Sequence, residues 1–95
     1  IIKGAIINNI RQMSSFYGKY KIRVNSISPG GLIGHNAGST KFQNKNFIKN
    51  YSKKVPLRRL GKPAEISKSV VFLVSHRASY ITGTNFIVDG GISIV

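Results

Sequence analysis

Pro29, Gly30 and Gly31 stand directly after a run of β-branched residues, at a place in the chain that could bind a ligand. Residues 22–28 favour an extended strand, and Pro29 ends it because proline has no amide hydrogen with which to continue a ladder. The two glycines leave a backbone without side chains, which can turn sharply and approach a flat ligand closely. Open α/β sheets bind ligands at the carboxyl ends of their strands, so residues 29–31 are a candidate binding loop; a plain turn is the other interpretation.

Lysines recur at every fourth position of a segment that we predict to be helical over residues 42–53. They are Lys41, Lys45, Lys49 and Lys53. Phe47, Ile48 and Tyr51 form a separate apolar face of the same helix. Like charges at this spacing slightly destabilise an isolated helix. The lysines are therefore either a solvated face or part of a lid whose cations meet an anionic substrate.

The composition is strongly basic, with fifteen Lys and Arg residues against Glu65 and Asp89 alone and a formal net charge of +13. This charge predicts affinity for polyanions, unless an acidic part of the protein lies elsewhere. The basic residues are not interleaved with exposed aromatic ones, as nucleic-acid stacking platforms require. A nucleic-acid-binding role would therefore rest on charge alone.

The absence of cysteine excludes disulfide frameworks and thiolate metal sites, and we expect no metal centre. No apolar run approaches the ~20 residues that span a bilayer, and the first residues lack the pattern of a secretion signal. We therefore expect a cytosolic protein that does not insert into membranes. The chain starts with Ile1 and no methionine, as though it were entered partway through.

Helical and strand patterns alternate along the chain. We predict helices over residues 1–17 and 63–75, strands at 22–28 and 86–88, and a glycine-rich loop at 30–40. The apolar stripe of the first helix consists of Ile6, Ile10, Met13 and Tyr17, widened by Ile7 and Phe16. That of the later helix consists of Ile66, Val70, Leu73 and Val74, widened by Val71 and Phe72. Because a crossover helix joins the strands, we expect a parallel pair in an α/β fold.

Five spaced blocks of the sequence, taken together, resemble the short-chain dehydrogenase/reductase family. They lie at residues 22–25, 29–30, 59–66, 79–83 and 88–91, in that family's order and spacing. The resemblance covers the whole chain but only the family's C-terminal portion. It implies that residues 1–95 are the C-terminal segment of a single Rossmann-like domain with a doubly wound parallel sheet. It also implies that residues 42–55 form a substrate lid.

The same resemblance implies site residues and a cofactor. Lys3 matches the catalytic lysine of the family's Tyr-x-x-x-Lys pair, whose tyrosine would lie two residues before Ile1. An ammonium beside a phenol lowers the phenol's pKa, so the tyrosine can exchange a proton near neutral pH. Lys3 would also bind the ribose of NAD or NADP. The nicotinamide carboxamide would be held by the loop that consists of Pro29, Gly30, Gly31 and Leu32.

The function implied is an NAD(P)-dependent oxidoreductase that interconverts a hydroxyl and a carbonyl by hydride transfer on a small-molecule substrate. Gly34 stands where the family often has a threonine near the cofactor phosphates, so the choice between NAD and NADP stays open. The family's tyrosine, serine and glycine-rich dinucleotide loop fall outside this sequence. We therefore expect the 95-residue chain alone to be inactive, and expect a companion N-terminal segment or a homo-oligomer built through residues 63–95. A non-catalytic fragment that acts only by association is the alternative, beside the polyanion-binding one.

Overall fold

The computed structural model describes residues 2–34 and 42–95, and the side chains of Ile2 and Lys3 lie outside that description. Three helices and two strands follow one another in the order expected from the sequence. They are α1 (Ile2–Tyr17), β1 (Ser26–Pro29), α2 (Lys45–Lys54), α3 (Pro63–Val74) and β2 (Asn85–Val88), with 3₁₀ turns at Gly18–Tyr20, His76–Ala78 and Ile92–Ile94. The predicted loop at 30–40 lies in large part outside the described residues, together with Lys41.

The two strands pair with each other, and the pairing is parallel. The Ser26 amide donates to the Thr84 carbonyl at 3.0 Å, and the Gly30 amide donates to the Val88 carbonyl at 3.0 Å. The partner's residue number rises along both strands together, which occurs only when the strands run in the same direction. The predicted α/β fold with a parallel sheet is confirmed.

The predicted start of the first strand is wrong, because β1 begins at Ser26 and not at residue 22. Just before β1, hydrogen bonds of side chains take the place of the backbone bonds that would pair a strand. The Val24 amide donates to the Thr82 hydroxyl at 3.0 Å, while the Asn25 side chain donates to the Ile81 carbonyl at 3.0 Å and accepts the Thr84 amide at 3.1 Å. Polar side chains that bond nearby backbone offer it an alternative to regular pairing. The β-branched residues of this run therefore do not extend the strand.

The helices begin and end close to their predicted positions, with identifiable caps. Asn44 caps α2, since its side-chain oxygen accepts the Phe47 amide at 2.7 Å, and so this helix begins at Lys45 rather than at residue 42. Helix α1 ends at Tyr17 and passes into a 3₁₀ turn. That turn is closed by Lys21 in the left-handed conformation, at φ 62°.

Contacts divide the chain into two compact units, each of which has its own buried residues. The first comprises Ile1–Ser28 and Lys68–Ile87, and its buried side chains are those of Ser14, Leu73 and Ala78. The second comprises Pro29–Ser67 and Val88–Val95, and its buried side chains are those of Val55 and Leu60. Among the described residues, no helix combines the length and the hydrophobicity needed to cross a membrane.

The covered faces of α1 and α3 are narrower than the predicted stripes. In α1 the least exposed positions are Ile7, Ile10 and Ser14, whereas Ile6, at 52% exposure, and its predicted companions Met13 and Tyr17 are exposed. In α3 Leu73 is buried and Ile66 half-buried, while Val70 and Val74 are exposed. The apolar stripe of each helix is wider than the side that the described residues cover, so the spacing of apolar residues does not identify the covered side.

Candidate cofactor-binding site

The backbone after Pro29 is packed too closely for side chains at its two glycines. A Cβ atom on Gly30 would lie 2.6 Å from the Cβ atom of Asp89, and one on Gly31 would lie 2.6 Å from the ring of Tyr51. The sequence predicted that this backbone approaches a flat ligand closely. The close neighbours that the structure describes are Asp89 and Tyr51 of the same chain, so the approach to a ligand stays a prediction. Glycine is thus required at both positions by internal packing.

Tyr51 connects α2 to this loop through its hydroxyl group. The hydroxyl oxygen accepts the Gly31 amide at 3.0 Å, and the ring lies against that of Phe47 with 5.9 Å between centroids. The sequence placed Tyr51 on the apolar face of the helix without a role for its hydroxyl. A partly buried tyrosine hydroxyl needs a hydrogen-bond partner, and this requirement is the signal that could have revealed the contact.

Gln43, which the sequence analysis did not single out, binds the same segment through its side-chain amide. Its Nε2 donates to the Leu32 carbonyl at 2.9 Å, and its Oε1 accepts the Gly34 amide at 3.2 Å. Its own backbone amide donates to the Gly34 carbonyl at 3.0 Å. The carboxamide of Gln43 is therefore bound by a backbone acceptor at Leu32 and a backbone donor at Gly34, two residues further on.

Gly61 holds the other side of the loop. The Gly61 amide donates to the Gly31 carbonyl at 2.9 Å, and the Ile33 amide donates to the Gly61 carbonyl at 2.8 Å, so that Leu32 and Gly61 form an isolated parallel bridge. The backbone from Gly31 to Gly34 is thereby fixed by three partners, namely Tyr51, Gln43 and Gly61. A backbone held at this many points presents its polar groups in fixed directions.

A cavity of about 100 Å³ lies beside this loop and is lined by residues that include Leu32, Gly61, Ile66 and Asp89. Pockets for drug-sized ligands are about 300–1,000 Å³. The cavity is therefore too small to hold a dinucleotide by itself, although it could take one small group.

The two acidic residues of the chain both lie near this cavity, and both are held ionised. Arg59 donates two hydrogen bonds to the Glu65 carboxylate, at 2.7 and 2.9 Å, and the Lys62 amide adds a third at 2.9 Å. The bond from Arg59 is the main cause that lowers the pKa of Glu65 to about 2, and Glu65 in turn raises the pKa of Arg59. A hydrogen bond from the Ser93 side chain, followed by one from the Gly91 amide, lowers the pKa of Asp89. Neither carboxyl group is therefore protonated at neutral pH, so neither serves as a proton donor there.

The structure brings together only part of the predicted site. Pro29 is the last residue of β1, and Gly30, Gly31 and Leu32 form the loop described above. Lys3 lies near the start of α1, but its side chain lies outside the described residues. The role predicted for Lys3 thus stays a prediction.

Comparisons with known proteins agree along nearly the whole chain. A protein-family model described as enoyl-(acyl carrier protein) reductase matches residues 1–93. The chain is 38% identical over 94 residues to isoepoxydon dehydrogenase of Aspergillus clavatus, which covers 97% of this chain. It is 42% identical over 91 residues to a 3-oxoacyl-[acyl-carrier-protein] reductase of Chlamydia trachomatis, which covers 96% of this chain.

A solved structure of 4-hydroxyisoleucine dehydrogenase complexed with NADH matches 98% of the chain with a TM-score of 0.84 and 36% sequence identity. The match covers 38% of that dehydrogenase. The chain likewise spans 36% of the length of each of the two relatives just named. The shared region is thus about a third of each of these proteins.

Proposed function

Because the chain belongs to the short-chain dehydrogenase/reductase family, as its five sequence blocks predicted, we propose that it forms part of an NAD(P)-dependent oxidoreductase. The complete enzyme would interconvert a hydroxyl and a carbonyl group on a small-molecule substrate. The observation that carries this proposal is the close structural match to a dehydrogenase complexed with NADH. The relatives named as dehydrogenases and reductases support the same reaction class.

The loop of Pro29, Gly30, Gly31 and Leu32 is the part of this chain that we assign to the nicotinamide. The fit is chemical: the Leu32 carbonyl and the Gly34 amide already hold a primary carboxamide, that of Gln43. The nicotinamide ring carries the same group. When bound, the cofactor supplies or accepts the hydride, and the protein positions it.

Lys3 is the residue that we assign to proton transfer. Its ammonium group would lower the pKa of the catalytic tyrosine, which the complete enzyme supplies from outside this sequence, and would bind the cofactor ribose. The position of Lys3 near the start of α1 supports this role because it matches the family's spacing.

Replacing Lys3 by methionine in the complete enzyme tests the assignment. We expect turnover to fall by a factor of about 10²–10⁴, the typical loss when a positioned acid or base is disabled. The pH profile of hydroxyl oxidation should move to higher pH, because the tyrosine loses the cation that favours its ionised form. Lys19→Met, at an exposed lysine after the same helix, is the control. An unchanged rate and pH profile in Lys3→Met would show that Lys3 is only a solvated helix residue.

Residues 42–55 are proposed as the substrate lid of this enzyme. Helix α2 supports the proposal because the Tyr51 hydroxyl joins it directly to Gly31, in the loop that we assign to the nicotinamide. Its lysines at 45, 49 and 53 are exposed and give the lid a cationic face that fits an anionic substrate.

The remaining proposals concern the assembly. We propose that residues 1–95 are one segment of a single Rossmann-like domain and that a companion N-terminal segment of the same enzyme provides the tyrosine, the serine and the dinucleotide loop. We also propose a homo-oligomer with contacts through residues 63–95, and a cytosolic location. The exposed apolar side chains of α3 support the proposed contacts. The 95-residue chain by itself would then be inactive.

A further inference from the structure

We propose that Gln43 acts as a built-in competitor of the cofactor, because its side-chain carboxamide fills the receptor for the nicotinamide carboxamide. The receptor consists of the Leu32 carbonyl, in the loop assigned to the nicotinamide, and the backbone amide of Gly34, which lies two residues further on and carries no side chain that could reach the cofactor phosphates. This inference rests on the proposed function, which assigns the same loop to the nicotinamide. It adds that the cofactor's amide enters only when the amide of Gln43 leaves.

The two hydrogen bonds of the Gln43 side chain show which chemical group this pair of backbone groups can bind. A primary carboxamide has a carbonyl oxygen that accepts and an NH₂ group that donates. The Gln43 side chain uses both, with its NH₂ group 2.9 Å from the Leu32 carbonyl oxygen and its own oxygen 3.2 Å from the Gly34 nitrogen. A pair of backbone groups that satisfies one primary carboxamide in this way can satisfy another.

The nicotinamide ring carries a primary carboxamide with the same donors and acceptor as glutamine. Exchanging one amide for the other conserves the number of hydrogen bonds, so neither amide has a large advantage in bond energy. The amide of Gln43 is tethered to the chain and thus present at a high effective concentration. Gln43 therefore lowers the apparent affinity for ligands that bring a carboxamide, and leaves the affinity for ligands without one unchanged.

Two features separate this role from a purely structural one. The backbone amide of Gln43 donates to the Gly34 carbonyl at 3.0 Å, and this bond does not depend on the side chain. The loop is also held at Gly31 by the hydroxyl of Tyr51 and at Gly61 by the backbone bridge. Removing the side-chain amide of Gln43 therefore opens the receptor while the other attachments of the loop remain.

The experiment measures dissociation constants by calorimetry for NADH and for ADP-ribose, which lacks the nicotinamide, in the complete enzyme. The variants are Gln43→Ala and Gln43→Met; the second keeps most of the side-chain volume without the amide. We expect NADH to bind about tenfold more tightly to both variants, as for a receptor that Gln43 fills about nine-tenths of the time. ADP-ribose should bind unchanged. Gln12→Ala, at an exposed glutamine of α1, should alter neither constant.

A second measurement follows the side-chain amide of Gln43 directly by ¹⁵N NMR in the unsubstituted enzyme. Its signals should move toward the positions of a solvated glutamine when NADH is added, and should stay in place with ADP-ribose. Signals that do not respond to NADH would overturn the proposal.

Three other results of the binding experiment would also contradict the proposal. Equal weakening of both ligands in the Gln43 variants would show that this side chain only supports the loop. Weaker or unchanged NADH binding, with ADP-ribose unchanged, would also overturn the competition. An unsubstituted enzyme that binds neither ligand would instead contradict the proposed function, and the inference would fail with it.

Discussion

The loop of Pro29 to Leu32, which we propose binds the cofactor, and the outer faces of the helices differ in how much of their surroundings the chain itself provides. Around the loop, glycine is required by neighbouring atoms: a Cβ on Gly90 would lie 2.6 Å from the Cγ1 atom of Val55, which is almost fully buried. On α3, by contrast, Val71 and Val74 are 65% and 75% exposed. The glycines of the loop are thus in close contact with other parts of the chain, whereas the outer face of α3 is open.

The difference shows which parts of the fold are complete within this sequence. Parallel sheets are stable when both of their faces are covered, and a sheet of two strands is marginal without such cover. In the second unit, Gly31 is covered by the side chain of Tyr51 and Gly90 by that of Val55. The apolar side chains of α1 and α3 extend well beyond the positions that the described residues cover. The geometry of the loop thus depends on contacts within this chain. The exposed apolar faces of the helices are of the kind that packs against another subunit or segment.

The largest effect that tests this comparison is expected from Gly90→Ala. Gly90 has a φ of +66°, and an added Cβ would contact the buried Val55. A left-handed backbone costs a residue with a Cβ ~1–2 kcal/mol, and a methyl group forced into filled space costs ~1–3 kcal/mol. We expect the free energy of unfolding of the complete enzyme, measured by urea denaturation, to fall by about 3 kcal/mol.

Gly4→Ala is the matched control, because an added Cβ at this position in α1 has no atom within 4 Å. Alanine is the better helix former by ~0.8–1 kcal/mol, so this variant should be slightly more stable. Similar free energies of unfolding for Gly90→Ala and Gly4→Ala would contradict the distinction between a packed glycine and an open helix face.

A second, smaller effect is expected from Val74→Glu on α3. If this face is solvent-exposed in the enzyme, a surface substitution changes stability by less than ~0.5 kcal/mol and leaves the oligomeric state unchanged. If it packs against a second subunit, a buried unpaired carboxylate weakens association. We expect the second result, with an association constant lowered at least about 100-fold, or about 2.8 kcal/mol. Sedimentation equilibrium measures it.

Lys68→Glu places the same side chain at an exposed, already charged position of the same helix and should leave association unchanged. A compact monomer in the unsubstituted enzyme would contradict the proposed contacts through residues 63–95, whatever the variants do.

The smallest effect concerns the cationic face of α2. Replacing Lys45 and Lys49 by glutamine should raise KM about three- to fivefold for a phosphorylated carbonyl substrate, since an exposed ion pair is worth at most ~1 kcal/mol. A neutral carbonyl of similar size should be unaffected. The control is the pair Lys19→Gln and Lys68→Gln, which removes two exposed lysines outside the lid. Equal changes for both substrates would mean that the α2 lysines are a solvated face.

The sequence predicted the order of the elements because each has a local signal. Pro63 is a typical first helical residue, and α3 begins there as predicted. Helix α2 was predicted from residue 42, but the cap at Asn44 sets its start at Lys45. The start of β1 was missed because it depends on the bonds that Val24 donates to Thr82 and Asn25 donates to Ile81, which lie far along the chain. A local pattern cannot report such a contact.

In the candidate site, too, some features were predictable from the sequence and others were not. The positions of Gly30 and Gly31 after the first strand were predictable, because the strand, the proline and the glycines are adjacent in sequence. The partners of these glycines, Tyr51 and Asp89, were not predictable, since they come from distant segments. Gln43 had no distinguishing signal, because a glutamine in a polar stretch is ordinary until its contacts are known.

The parallel bridge between Leu32 and Gly61 has a consequence for how this protein can vary during evolution. The bridge joins the two ends of the segment 33–60. The free-energy cost of closing a segment in this way rises only slowly with its length, by ~0.6 kcal/mol for each doubling. By this criterion the chain closure itself tolerates insertions and deletions between the two anchors. Variation in length is thus tolerated only where Gln43 and Tyr51 keep their contacts with residues 31–34.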